Sequence, residues 1–336
     1  VEAMIVKKKE FEQLHSYVEE SPGNEKNICE ITAIKNESIV YEDYWHGYRR
    51  GDTLNIMSVT KSIIALLIGI AIDKGLIKSV DQKVLEFFPD YRVKRGEKTI
   101  YDVTLRHLLT MTAPYKYKSE PWTKVCTSDD WTKAALDILG GRNGITGEFK
   151  YSTLGIQILS GVIANASGMR VIDFANDCLF EPLGIPCHTN KEDRSKEDQL
   201  NFVMNKKPKG NVWYADPKDV NTAGWGLALS ANDLAAIGLM CLQKGIYNGK
   251  RILTEEWIHA FSTPYIDLDE RFGNMSYGFL WWIIDANKRI YAAIGDGGNI
   301  IYVNEKKGIC IGIAGTFKPR IFDRVQFIQR KIEPLL

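Results

Sequence analysis

Residues 55–77 read NIMSVTKSIIALLIGIAIDKGLI, and one charge in them sits oddly. The apolar run from Ile63 to Ile72 is too short to cross a bilayer and suits a buried core helix. Gly75 is a good left-handed stop, so a helix is expected from about Ser58 to Lys74. Serine is a favoured N-cap. A capping box, however, would place Glu or Gln at position 61, and a cation there opposes the helix dipole. Positions three apart share a helix face, so Lys61 can reach Ser58. Burial and the positive helix end both disfavour an ammonium, which makes Lys61 a candidate base for the Ser58 proton.

Around this helix the chain divides by texture. Residues 9–20 have the pattern of an amphipathic helix. ICEITAIKNESIVYEDYWHG (28–47) contains two β-rich runs around the polar tip 35–38, a hairpin signature. From about 80 to 262 the apolar spacing is mainly helical, as in STLGIQILSGVIANASG and SANDLAAIGLMCLQKG. HTNKEDRSKEDQLNFVMNKKPKG (188–210) is charged and shows no periodicity, so a surface insertion without regular structure is expected. After 275 β-rich runs return, with hairpin loops at 285–288 and 304–308. In the last stretch Ile321, Phe322, Val325, Ile328 and Ile332 fall on one helical face. The fold class expected is therefore α+β. One antiparallel sheet is assembled from both chain ends (1–79 and 265–336) and flanked by terminal helices. A mainly helical subdomain (80–264) is inserted, with the site in the cleft between them.

The 336 residues carry 43 Lys and Arg against 42 Asp and Glu, a formal charge of +1, which offers nothing to nucleic acid or an anionic membrane. The six cysteines lack paired spacing and read as reduced structural thiols. No His or Cys spacing suits zinc, so neither a metal nor a cofactor is expected. The basic start of the chain lacks the apolar stretch of a secretory signal, and a cytoplasmic protein is the expectation. Oligomeric state is not legible.

Two further elements bear on chemistry. In GEFKYSTLGIQILSGVI, Tyr151-Ser152-Thr153 opens a helical pattern, and a phenol there can relay protons. Ala293-Ile294-Gly295-Asp296-Gly297-Gly298-Asn299 puts three glycines into a β-rich run, where something is expected to approach the backbone. Trp225, between Gly224 and Gly226, either lines a pocket or packs. Of Trp281 and Trp282, alternation along a strand would put one in the core and the other toward cleft or solvent. His46, His107 and His259 have no acid partner in view, so no Ser-His-Asp triad is assigned, and no Gly-x-Ser-x-Gly elbow occurs.

Taken in order, Ser58-x-x-Lys61, Tyr151-x-x and the glycine-rich run resemble the serine β-lactamase and penicillin-recognising hydrolases. The nearest branch is class C, which also holds esterases and aminohexanoate-oligomer hydrolases. VTLRHLLTMT, AGWGLALSANDLAAIGLMCLQKGIYNGKRIL and SYGFLWWI extend the likeness over about 28–316. The resemblance implies a β-lactamase-like fold, Ser58 as acylated nucleophile, Lys61 as base and Tyr151 as proton relay. It implies an oxyanion hole from the backbone N–H groups of Ser58 and Asp296. Substrate contacts would come from Thr153, Trp225, Gly297, Gly298 and Asn299. Three departures shape the expected chemistry. Thr153 replaces the usual Asn of the tyrosine motif, Met111-Thr112-Ala113-Pro114 replaces the His-Thr-Ser-Gly turn, and Asp296 stands where penicillin-binding members have Lys-Thr-Gly. Together they favour a small-molecule ester, or an uncharged or cationic amide, over a β-lactam. The alternatives are a true β-lactamase or D-alanyl peptidase, and a non-catalytic binding protein on the same scaffold.

Overall fold

The computed structural model describes residues 2–191 and 195–336, with side chains from residue 9 onward; 192–194, inside the stretch expected to lack structure, lie outside the described residues. Its centre is an eight-stranded antiparallel sheet. Its strands are β1 (Ile28–Lys35), β2 (Ser38–Tyr44), β3 (Ile266–Asp267), β4 (Ser276–Tyr277), β5 (Trp282–Asp285), β6 (Ile290–Gly295), β7 (Asn299–Asn304) and β8 (Ile309–Gly315). Their spatial order is β2-β1-β8-β7-β6-β5-β4-β3, so the last strand pairs with the first, Thr32 opposite Gly312. Both chain ends thus build one sheet, as the two β-rich regions implied. At the β1–β2 tip Asn36 and Glu37 both take positive φ, +49° and +67°, the geometry of a two-residue hairpin turn matched to strand twist.

Six helices matter to the site: α1 (Glu2–Glu20), α2 (Val59–Asp73), α3 (Trp122–Cys126), α4 (Gln157–Ser167), α5 (Lys196–Met204) and α6 (Ala231–Leu242). The sheet is covered by helices, so β1, β6, β7 and β8 are buried at nearly every residue rather than at alternate ones. Helix α6 lies along β1, β7 and β8, and α2 meets β6 and β7. On α1, Leu14 and Val18 are buried, and Phe11 stacks on Tyr41 of β2 at 4.7 Å. Near the C-terminus the regular helix begins only at Val325. Phe322, expected on its apolar face, lies before it and stays partly exposed against Trp282.

Helix α5 corrects the expectation for 188–210. Ser195 caps it by accepting the Asp198 N–H, while Asp198 bonds back to the Ser195 N–H, a capping box built with Asp. Few apolar residues mark the segment, so periodicity missed it. Among the described residues no single helix is long and apolar enough to cross a membrane.

Candidate active site

Helix α2 does begin at Val59 and ends before Gly75, at φ +72°. Its start is held by the turn before it. Met57 adopts φ +50°, uncommon for a side chain of its size. Asn55 stabilises that turn, its Oδ1 accepting the Met57 N–H and the Gly226 N–H, both at 3.1 Å. Ser58 sits at the N-cap position without capping, because its hydroxyl is engaged elsewhere. Lys61, only 1% exposed, places Nζ 2.7 Å from Ser58 Oγ and donates to the Gly224 carbonyl at 3.0 Å. Burial pushes the Lys61 ammonium down to about 7, against the opposing pull of Glu120 and then Asp296. A neutral amine keeps an N–H for Gly224 and turns its lone pair to the Ser58 O–H. That contact is then poised to accept a proton.

Tyr151 closes the group. Its ring centre is 4.8 Å from Lys61 Nζ and packs beside Trp282 at 6.1 Å. Burial raises the phenol above its ordinary range, while its side-chain hydrogen bond with Ser58 works the other way. The phenol therefore stays protonated at neutral pH and can donate a hydrogen bond. The residue is not at a helix start. Helix α4 begins at Gln157, and Tyr151-Ser152-Thr153 forms an irregular turn ahead of it. Both Trp281 and Trp282 are buried, contrary to the alternation expected of them: Trp281 stacks on Phe261 at 4.8 Å and Trp282 backs Tyr151.

The glycine-rich run is not one strand. Gly295 ends β6, and 296–298 make the turn into β7. A Cβ on Gly295 would lie 2.4 Å from the Ile56 carbonyl oxygen and 2.9 Å from the Ser58 nitrogen. Bare backbone is needed at 295 because the start of α2 occupies the space. Gly295→Ala should displace that turn and lower kcat/KM by about 10²-fold; steady-state kinetics on a variant with parental circular dichroism checks it.

The other residues of the run divide. Asp296 is exposed and lines the cleft, and its charge acts on Lys61 and Tyr151. Among the described residues no turn or cap hydrogen bond uses the backbone N–H of Ser58 or Asp296. Gly297, Gly298 and Asn299 turn to the scaffold. The Gly297 N–H donates to Ile321 O at 2.9 Å, and its carbonyl accepts from Asn27 Nδ2 at 2.8 Å. Gly298, at φ +79°, packs on the buried Arg324. Asn299 is fully buried, its amide donating to Asp296 O and its Oδ1 accepting the Gly315 N–H, both at 2.9 Å.

Ser58 opens on a cleft of about 330 Å³ whose lining includes Thr153, Gly224, Trp225 and Asp296. Trp225 does both things that were open for it: it faces the cleft and packs on Tyr214 at 4.9 Å. Sequence reasoning missed the opposite wall, Trp122 and Cys126 from α3 with Leu200 and Val203 from α5. Trp122 is 44% and Leu200 54% exposed, an apolar surface open to solvent at the cleft. Asn55 and Glu120 were also missed, since loop contacts leave no spacing signal. A larger hollow of about 1020 Å³, lined by 94–99, 112–118, 140–144, 146 and 148–150, contains none of Ser58, Lys61 or Tyr151.

The chain belongs to the Beta-lactamase family, whose model matches residues 30–327. It is a hydrolase of that family with a β-lactamase-like fold. It is 24% identical over 297 residues to the 6-aminohexanoate-dimer hydrolase of Paenarthrobacter ureafaciens, covering 81% of this chain and 68% of that one. The octameric penicillin-binding protein homologue from Pyrococcus abyssi superposes with a TM-score of 0.67 at 21% identity, over 91% of this chain and 73% of that one. A family VIII carboxylesterase superposes with a TM-score of 0.67 at 17% identity, over 97% and 98%.

Proposed function

We propose that this hydrolase cleaves an ester or amide through a covalent acyl-serine. The observation that carries the reading is the buried Lys61 amine 2.7 Å from Ser58 Oγ, one helical turn away, with Tyr151 against both. Lys61 Nζ takes the Ser58 proton as Oγ attacks the carbonyl carbon. The resulting oxyanion rests on the backbone N–H groups of Ser58 and Asp296. Collapse breaks the scissile bond, and the departing alcohol or amine receives a proton through Tyr151. Water then attacks the acyl group, gives its proton to the Lys61–Tyr151 pair, and frees the acid and Ser58. The proton taken from Ser58 leaves with the alcohol or amine, and the one taken from water returns to Ser58 Oγ, so the cycle closes.

Cleft chemistry supports a substrate class. Asp296 puts a negative charge beside Ser58, which disfavours a carboxylate there, although Lys196 also lines the cleft; Trp122, Leu200, Val203 and Trp225 suit an aliphatic or aromatic group. Esters, and amides with uncharged or cationic acyl parts, fit best; the likeness to an enzyme named for an aliphatic amide agrees. Turnover of p-nitrophenyl butyrate, an N-(6-aminohexanoyl) amide and nitrocefin, in parent and Ser58→Ala, tests this. Ester or amide turnover should fall by roughly 10³-fold or more in the variant, with nitrocefin barely hydrolysed. Undiminished turnover in Ser58→Ala would overturn the mechanism, and nitrocefin as the best substrate would overturn the preference.

A further inference from the structure

A carboxylate that no motif pointed to sits behind the Tyr151 turn. Glu120 Oε1 accepts the Ser152 O–H at 2.9 Å and the Leu154 N–H at 2.8 Å, and Tyr117 Oη lies 3.4 Å from the same oxygen. Ser152, fully buried between Tyr151 and Thr153, also accepts from the Tyr117 O–H at 2.6 Å and the Gly155 N–H at 2.8 Å. Its hydroxyl is saturated and its rotamer fixed. Two residues beyond Glu120, α3 begins at Trp122, on the cleft wall. One carboxylate oxygen thus joins the turn that presents the phenol to the wall that lines the cleft.

We propose that Glu120 is a positioning residue for this site: it ties the Tyr151 turn to the Trp122 wall and supplies a negative charge that acts on Lys61. The inference rests on the reading of Ser58, Lys61 and Tyr151 as the reacting groups. Glu120 is the larger of the two charges that work against the effect of burial on Lys61, Asp296 being the other. Among the described residues the charges that act on Lys61 are Glu120 and Asp296, with Tyr151 over the amine. Glu120 itself acts on Tyr115, Tyr117, Cys126, Lys150 and Tyr151 as well. Of these Lys150 is the cation, held by the Tyr117 carbonyl at 2.5 Å and lying over the Tyr117 ring.

Charge and geometry separate by substitution. Glu120→Gln keeps an acceptor oxygen for Ser152 and Leu154 but removes the charge. Without that charge the Lys61 ammonium is less favoured, so the neutral amine appears at lower pH. The acid limb of the kcat/KM profile should move down by about half a pH unit or more. Glu120→Asp keeps the charge but withdraws it from Ser152. Its acid limb should stay in place while kcat falls about tenfold or more. A purely structural role would lower activity without moving the limb. Profiles for both variants, beside fluorophosphonate labelling of the parent, decide the matter. A parent labelled at Ser58 whose profile superimposes on that of Glu120→Gln overturns the role of the charge, and unchanged kcat in Glu120→Asp overturns the tie. A parent left unlabelled at Ser58 overturns both the reaction and the inference.

Discussion

Lys61→Met is expected to leave less than about one part in 10³ of the parental turnover and yet to melt at a higher temperature than the parent. The two effects share one cause. Burial depresses the Lys61 ammonium from 10.5 to about 7. Between those values the unfolded chain binds a proton that the folded chain does not, so stability rises with pH across that window. At pH 7 and below the folded state bears the full disadvantage, on the order of 4 kcal/mol. Methionine fills the space without a charge and forfeits the hydrogen bonds to Ser58 and Gly224 and the amine's place over the Tyr151 ring. A net gain of about 2–3 kcal/mol near neutral pH should remain, shrinking as pH approaches 10. Differential scanning calorimetry at pH 6, 7.5 and 9 reads it. A variant that melts below the parent at every pH would mean that the buried amine stabilises the fold. In the parent, the same depression puts the acid limb of activity near pH 7, with rates rising toward mild alkalinity.

Tyr151→Phe should sort substrates by leaving group. The ring is retained, so its contacts with Lys61 and Trp282 survive, and only the hydroxyl beside Ser58 is lost. An amide needs its departing nitrogen protonated, and without the phenol its hydrolysis should drop about 10³-fold. A p-nitrophenolate leaves without help, so acylation by the activated ester should fall about tenfold or less, visible as a preserved burst of nitrophenol followed by slow turnover. Equal losses for both substrates would remove the phenol from leaving-group protonation.

What the sequence made legible was what regular geometry encodes. Ser58 at the N-cap position and Lys61 in the first turn of one helix are three residues apart, so their meeting followed from spacing and from the apolar letters around them. The sheet assembled from both ends was legible because β-rich runs at 28–44 and 276–315 flank a helical middle. Contacts between irregular segments were not. Gly295 stood out as a glycine, but only the packed structure shows that it makes room for the start of α2 rather than for substrate. Helix α5 rests on a capping box with Asp198 and has too few apolar residues to announce itself. Asn55 and Glu120 act through bonds to loops far along the chain, at Gly226 and at Ser152, which no local pattern encodes.

The site also shows how stability and reactivity trade against one another here. Met57 is held at positive φ by Asn55, Lys61 is buried with no carboxylate in contact among the described residues, and Gly295 gives up a side chain to admit the turn that carries Ser58. Each of these is unfavourable alone, and all three lie at the turn and helix start that hold Ser58, where the proposed mechanism needs a fixed hydroxyl.

Peptide mapping by mass spectrometry after treatment with a fluorophosphonate settles whether that hydroxyl is the attacking group. The account requires a single adduct on the peptide containing Ser58, forming faster as pH rises through 7 and absent in Ser58→Ala. An adduct on any other residue, or labelling of Ser58→Ala at the parental rate, would contradict it.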